Sequence, residues 1–233
     1  MAYPRYLNTG NSAADATSYA SGSTTPTNGR VLTAWVASVI AAGTPNTPTA
    51  TGTNGLSGTW TAIANSTRDQ VKITLFRSVA ASGVAGVLTF DFGGQTNSGF
   101  AYGIEEWVDV ATTLNVQSTT TTADAATSIT MSPALASFAS TTNGTYAVVA
   151  SPGSFLAVRG VNTQGTMMQL ATTVSSGTEI TGGAFYSPGA ITAPQLSVSG
   201  AGSDIVAIAM EVSNTITAGS GGGSDTFIPT FRV

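Results

Sequence analysis

The sequence predicts an all-β fold, with tandem duplicated antiparallel β-sandwich or jelly-roll-like repeats and extended terminal arms. Three observations carry that prediction. Apolar residues recur at every second position in short runs, such as Val71, Ile73 and Leu75 or Leu88, Phe90 and Phe92, which is the period of a half-buried strand. Clusters of Gly, Pro, Asn and Asp interrupt these runs at the spacing of turns. No helical period is sustained, and the helix formers Glu and Lys are scarce, because charged residues are only 8% of the 233-residue chain. With mean hydropathy at +0.22, the polarity of the surface falls to Thr, Ser, Gly and Asn. Threonine suits strands, and the small polar residues suit turns.

Taken in order, residues 1–14 read as an irregular arm whose Tyr3, Tyr6 and Leu7 need a surface to lie on. A first repeat spans residues 15–113. It opens with the strand-like Thr17-Ser18-Tyr19, turns at Thr27-Asn28-Gly29-Arg30, and continues as a nearly unbroken apolar strand from Val31 to Ile40. Unbroken apolarity means that both faces of that strand are covered. Gly43 to Leu56 reads as a loop, Gly58 to Ala64 as a short strand, and Val71 to Val79 as another. From Val87 to Val110 the pattern predicts a hairpin: Leu88, Phe90 and Phe92, a turn over Gly93 to Gly99, then Phe100, Tyr102 and Ile104. Ser118 to Asp124 is low in complexity and reads as a polar connector.

The same blocks then recur in the same order over residues 114–218, which predicts an internal repeat. Thr17-Ser18-Tyr19 returns as Thr127-Ser128-Ile129, Thr27-Asn28-Gly29 as Thr142-Asn143-Gly144, and Val36-Ala37-Ser38 as Val149-Ala150-Ser151. Gly58-Thr59-Trp60 answers to Gly165-Thr166-Met167, Ile73-Thr74 to Ile180-Thr181, Phe76-Arg77-Ser78 to Phe185-Tyr186-Ser187, Leu88 to Leu196 and Ile104 to Ile208. Two such repeats could make two small sandwiches or pair their sheets into one larger body with an internal pseudo-twofold; without disulfides a unit of about a hundred residues has a thin core, which favours close association. Residues 219–233 differ in kind: a Gly-rich linker leads to a tail in which Phe227, Ile228, Phe231 and Val233 are apolar enough to dock as a strand on a neighbouring subunit.

Composition also narrows chemistry. A net charge of −4, with Lys72 the one lysine and six scattered arginines, gives no basic stripe for nucleic acid. The absence of cysteine removes disulfides and thiolate metal sites, and the absence of histidine removes the usual neutral-pH base and the commonest zinc ligand. No apolar run reaches the length of a membrane span, and the first residues lack the apolar core of a signal peptide, so a soluble protein made in the cytoplasm is expected. Glu105-Glu106, with Asp91, invites comparison with a glycosidase carboxylate pair. Adjacent strand residues point to opposite faces, however, and Glu106, in register with Ile104 and Val108, implies either a bulge or an ion pair with a nearby arginine. Asp91, Asn97 and Asp109 lack the spacing of a calcium loop. Trp35, Trp60 and Trp107 read as core residues. No catalytic, cofactor or metal site is predicted.

The apolar strand Val31 to Val36, the strand Gly58-Thr59-Trp60-Thr61, the strand ending Phe76-Arg77-Ser78 and the segment Ile104-Glu105-Glu106-Trp107-Val108-Asp109 together resemble a β-sandwich, jelly-roll-like module of tailed-phage virion proteins. Such modules occur in head decoration or cement proteins, head fibres and tail fibres. The resemblance spans roughly Ala16 to Ser213. It implies a non-enzymatic virion protein, most simply a capsid decoration protein that contacts the major capsid protein and copies of itself through sandwich surfaces and through Tyr3, Tyr6, Leu7, Phe227, Ile228, Phe231 and Val233. The alternative expectation is a tail-fibre or adhesin domain that binds a host glycan through aromatic and amide side chains in long loops such as Gly43 to Leu56. A hydrolase would need two carboxylates converging in a cleft.

Overall fold

The structure is a computed structural model that describes residues 2–110, 114–126, 128–152, 158–160, 166–172, 180–198 and 203–213. These residues are all β, with one 3-10 turn at Asn54–Leu56 and no helix long and apolar enough to cross a membrane. The strands of the first half are β1 (Tyr3–Ser12), β2 (Ser18–Ala20), β3 (Val31–Val39), β4 (Thr49–Gly52), β5 (Thr61–Arg68), β6 (Val71–Val79), β7 (Leu88–Asp91) and β8 (Gly99–Val108). Those of the second are β9 (Asn115–Ala126), β10 (Ser128–Thr130), β11 (Gly144–Pro152), β12 (Val158–Gly160), β13 (Thr166–Thr172), β14 (Ile180–Ser187), β15 (Gln195–Val198) and β16 (Ser203–Val212).

All sheet pairings are antiparallel. A five-stranded sheet, β1-β8-β3-β6-β5, carries a three-stranded sheet, β2-β7-β4, on its outer side. A second five-stranded sheet, β13-β14-β11-β16-β9, carries the three-stranded sheet β10-β15-β12. The two five-stranded sheets then pack face to face, giving four layers with three apolar seams. Strand β3 shows why its sequence is apolar throughout. Val31, Trp35, Ala37 and Val39 enter the central seam, while Leu32, Ala34 and Val36 enter the outer one.

Several expectations are corrected. The stretch from Val87 to Val110 is not a hairpin: β7 pairs with β2 and β4, whereas β8 pairs with β1 and β3 in the other sheet. Its two apolar faces look at each other across the sandwich. Phe90 and Phe100 meet with ring centroids 5.6 Å apart, and Tyr19 stacks on Phe100 at 4.5 Å. β15 followed by β16 crosses between sheets in the same way. Ser118 to Asp124 is not a connector but the middle of β9, a twelve-residue strand. Threonine has strong β propensity, and an edge strand needs no continuous burial to form. Part of the expected loop from Gly43 to Leu56 is strand β4, which completes the outer sheet beside β7.

The N-terminal arm is likewise a strand from Tyr3 to Ser12, paired along β8. Ala2 is buried in the central seam, and Tyr186 of the second half donates its hydroxyl hydrogen to the Ala2 carbonyl. The start of the chain is therefore fixed by its own second half.

Adding eight to each strand number of the first pair of sheets gives the strand order of the second pair. Register shifts also coincide, falling between Ala62 and Ala64 in β5 and between Met167 and Gln169 in β13. The ladders set Leu32 opposite Glu106 and Thr145 opposite Glu211. That register aligns Ile104 with Ala209 rather than Ile208, Ile73 with Gly182 rather than Ile180, and Ala62 rather than Trp60 with Met167, and the outer-sheet ladders align Phe90 rather than Leu88 with Leu196. The single-residue slip at Ile208 is consequential, since it exchanges the outer seam for the central one.

Candidate functional site

The ionisable groups with the most unusual surroundings lie on β8 and β16. Glu105 and Glu106 point to opposite faces, as extended backbone requires. Glu105 is fully buried in the central seam. The Thr33 hydroxyl donates to its Oε2 at 2.9 Å, and Trp107 Nε1 donates to Thr33 Oγ1 at 2.8 Å. Glu105 Oε1, Trp35 Nε1 and the Tyr146 hydroxyl are buried near one another without forming a well-aligned hydrogen bond. Burial pushes the Glu105 carboxyl up to about 7, opposed in part by the Thr33 hydrogen bond. Burial, and then the Glu105 charge, pushes the Tyr146 phenol well above its ordinary value.

Glu106 faces the outer side. It accepts a hydrogen bond from the Thr27 amide and pairs with Arg5 of β1 at 3.0 Å, so of the two sequence alternatives, a bulge or an arginine partner, the ion pair is the one formed. Glu211 occupies the matching place in the second half, where it accepts from the Ala139 amide at 2.8 Å, Asn143 Nδ2 at 2.6 Å and Gln117 Nε2 of β9 at 2.7 Å. Each of these glutamates ties an edge strand to the loop that enters the central strand of its sheet. Glu211 was visible in sequence as an isolated carboxylate within the apolar run from Val206 to Val212, but its partners were not. Glu211→Gln replaces an acceptor with an amide donor that faces other donors. It is expected to cost about 1–2 kcal/mol in denaturant unfolding.

The other candidate groups do not converge. Asp91 Oδ1 accepts from the Gly93 amide at 2.8 Å and so caps the turn in which Gly93 and Gly94 adopt φ of 64° and 82°. Asn97 Nδ2 donates to the Gln95 carbonyl, and Asp109 follows the far end of β8. Among the described residues no group of three or more Asp or Glu side chains is placed to hold a metal ion. Trp35 and Trp107 are buried as expected, and Trp60 is half-buried with Nε1 donating to the Leu56 carbonyl. In the Gly43 to Leu56 segment, Asn46 and Asn54 donate their side-chain amides to the Phe92 and Ala85 carbonyls, so these amides support loops rather than project from them.

One polar groove of about 380 Å³ runs between β5 and β9, lined by Asn65, Ser66, Thr67, Thr120, Thr121, Thr122 and Ser132. Ser66 donates across it to the Thr121 carbonyl at 3.0 Å. Near it Arg68 bridges the halves, reaching Asp204 at 2.8 Å and Asp124 at 3.0 Å.

Of the residues expected to contact partners, Tyr3 and Tyr6 are 40% and 51% exposed on edge strand β1. Leu7 instead packs partly against the outer seam. Phe227, Ile228, Phe231 and Val233 lie outside the described residues. No protein-family model, curated protein or solved structure matches the chain.

Proposed function

We propose that the protein is a non-enzymatic structural protein of a phage virion, a capsid decoration or cement protein that binds the major capsid protein and neighbouring copies of itself. The observation that carries this reading is the architecture itself. A rigid four-layer β body has an almost uncharged, hydroxyl-rich exterior and presents two tyrosines on an edge strand. Tyrosine supplies a large contact area at low entropic cost, and an edge strand is where an incoming strand can add by main-chain hydrogen bonds. Contacts of this kind are individually weak and gain strength through repetition on a many-copy shell.

Imaging of assembled particles with labelled protein tests the location: copies tiling the shell support the reading, and copies confined to a tail tip or absent from particles refute it. Deletion of residues 225–233 tests the tail. Particle binding is expected to fall by about tenfold or more, because one of several linked contacts is removed. The unfolding midpoint is expected to stay unchanged. Undiminished binding would exclude the tail as a docking segment.

A second reading, a glycan-binding fibre domain, draws support from the hydroxyl and amide lining of the β5/β9 groove. Titration with host-surface glycans distinguishes it, since a decoration protein binds shells and not sugars.

A further inference from the structure

The contacts across the central seam are reciprocal. β1 lies over β13 while β5 lies over β9; β6 packs on β11 while β3 packs on β14; and β8 meets β14 while β6 meets β16. Each of these contacts becomes its companion when the two halves are exchanged through the shared strand order, and β3 and β11, which meet each other, lie at the exchange point. This is the reciprocal pattern of an isologous twofold interface, here within one chain.

The side chains at reciprocal positions are not alike. The ladder registers make Trp35 on β3 the counterpart of Val148 on β11, and Ile73 on β6 the counterpart of Gly182 on β14. At the contact of β3 with β14, Trp35 lies so close to Gly182 that a Cβ there would sit 2.4 Å from Cζ3 of the indole. At the reciprocal contact of β11 with β6 the residues are Val148 and Ile73, both buried in the same seam. One contact thus joins a large residue to none, and the other joins two of middle size. A second pair also differs, here in polarity: Glu105 is close to Tyr146 across the seam, while their counterparts are Met210 and Thr33.

We infer that the two halves form a fused pseudo-dimer whose contact face is specific for the unlike half, with Trp35 and Gly182 as the main determinant. Two first halves meeting in this geometry would drive Trp35 into Ile73. Two second halves would leave a void between Val148 and Gly182. Either mismatch disfavours association between like halves, and that protection matters where many copies are made close together. The inference concerns the seam alone and stands whether or not the protein decorates a capsid.

The test is a double-mutant cycle in the full chain, read by thermal unfolding and soluble yield. Gly182→Ile alone places a branched side chain against the indole and is expected to lower the midpoint by roughly 5–10 °C or to abolish soluble protein. Trp35→Val alone opens a cavity and lowers it as well. The double variant recreates at this contact the Val and Ile pair of the reciprocal one, and is expected to recover yield and midpoint relative to Gly182→Ile despite losing a further core side chain. Gly182→Ala gives a milder cycle, with a clear loss beside Trp35 and none in the Trp35→Val background. Additive losses in both cycles, or a double variant no better than Gly182→Ile, would overturn the inference.

Discussion

Trp107→Ala is expected to destabilise the protein by about 3–5 kcal/mol, the range for emptying a buried aromatic site. Trp107 is fully buried on β8 and meets Tyr146 and Tyr186 of the second half edge-on, with ring centroids 5.3 and 5.6 Å away. Its Nε1 also donates to Thr33 Oγ1, which in turn donates to Glu105. Truncation removes the apolar contact that joins the sheets and frees the hydroxyl that supports the carboxyl. Few other side chains here combine so much buried volume with contacts to both halves. Urea unfolding of the two proteins measures the loss, and a difference below about 1 kcal/mol would mean that the seam around Trp107 is not packed as described.

Glu105 is expected to make stability fall as pH rises from about 4.5 to about 7. Its ordinary value is 4.5, and burial raises it in the folded chain to about 7. Below 4.5 the carboxyl is neutral in both folded and unfolded states, so the folded form carries no buried charge. Between the two values the unfolded chain ionises while the folded chain holds its proton, and each step upward in pH favours unfolding. Above 7 both states are ionised and the loss is complete, amounting to about 3 kcal/mol for a displacement of this size. Glu105→Gln lacks the titration. The difference in unfolding free energy between wild type and Glu105→Gln, followed from pH 4 to pH 8, isolates this group from the other carboxylates. It should shift in favour of the variant across that window, and a difference independent of pH would contradict the burial of an ionisable Glu105 in the seam.

The sequence made some of this legible for physical reasons. Alternating apolar residues report which face of a strand is buried, and an unbroken run such as Val31 to Ile40 reports two buried faces; β3 obeys both statements. Alternation does not report where the backbone hydrogen bonds go. Leu88 to Phe92 and Phe100 to Ile104 therefore read as a hairpin, although their strands lie in facing sheets. Ser118 to Asp124 reads as a connector for a related reason: its strand lies at an edge, held by β16 and by threonine's backbone preference, and needs no run of buried apolar residues.

The site residues show the same division. The opposed directions of Glu105 and Glu106 follow from strand geometry and needed no coordinates. That Tyr146 lies beside Glu105 depends on how two halves stack, which no local pattern encodes. The contact of Trp35 with Gly182 is harder still to foresee, because one partner contributes only an absence of side chain. Tyr3 and Tyr6 stand out in sequence for their apolar bulk in a polar segment, whereas the strand that carries them is defined by its pairing with β8.

Because the largest apolar seam among the described residues lies between the halves rather than within either one, they should unfold together. Equilibrium denaturation of the full chain followed by tryptophan fluorescence and by far-ultraviolet circular dichroism measures this directly, since Trp35, Trp60 and Trp107 all belong to the first half while dichroism reports strands of both. Coincident single transitions with one midpoint are the expected result. Two separated transitions, with fluorescence following only one of them, would contradict a shared core.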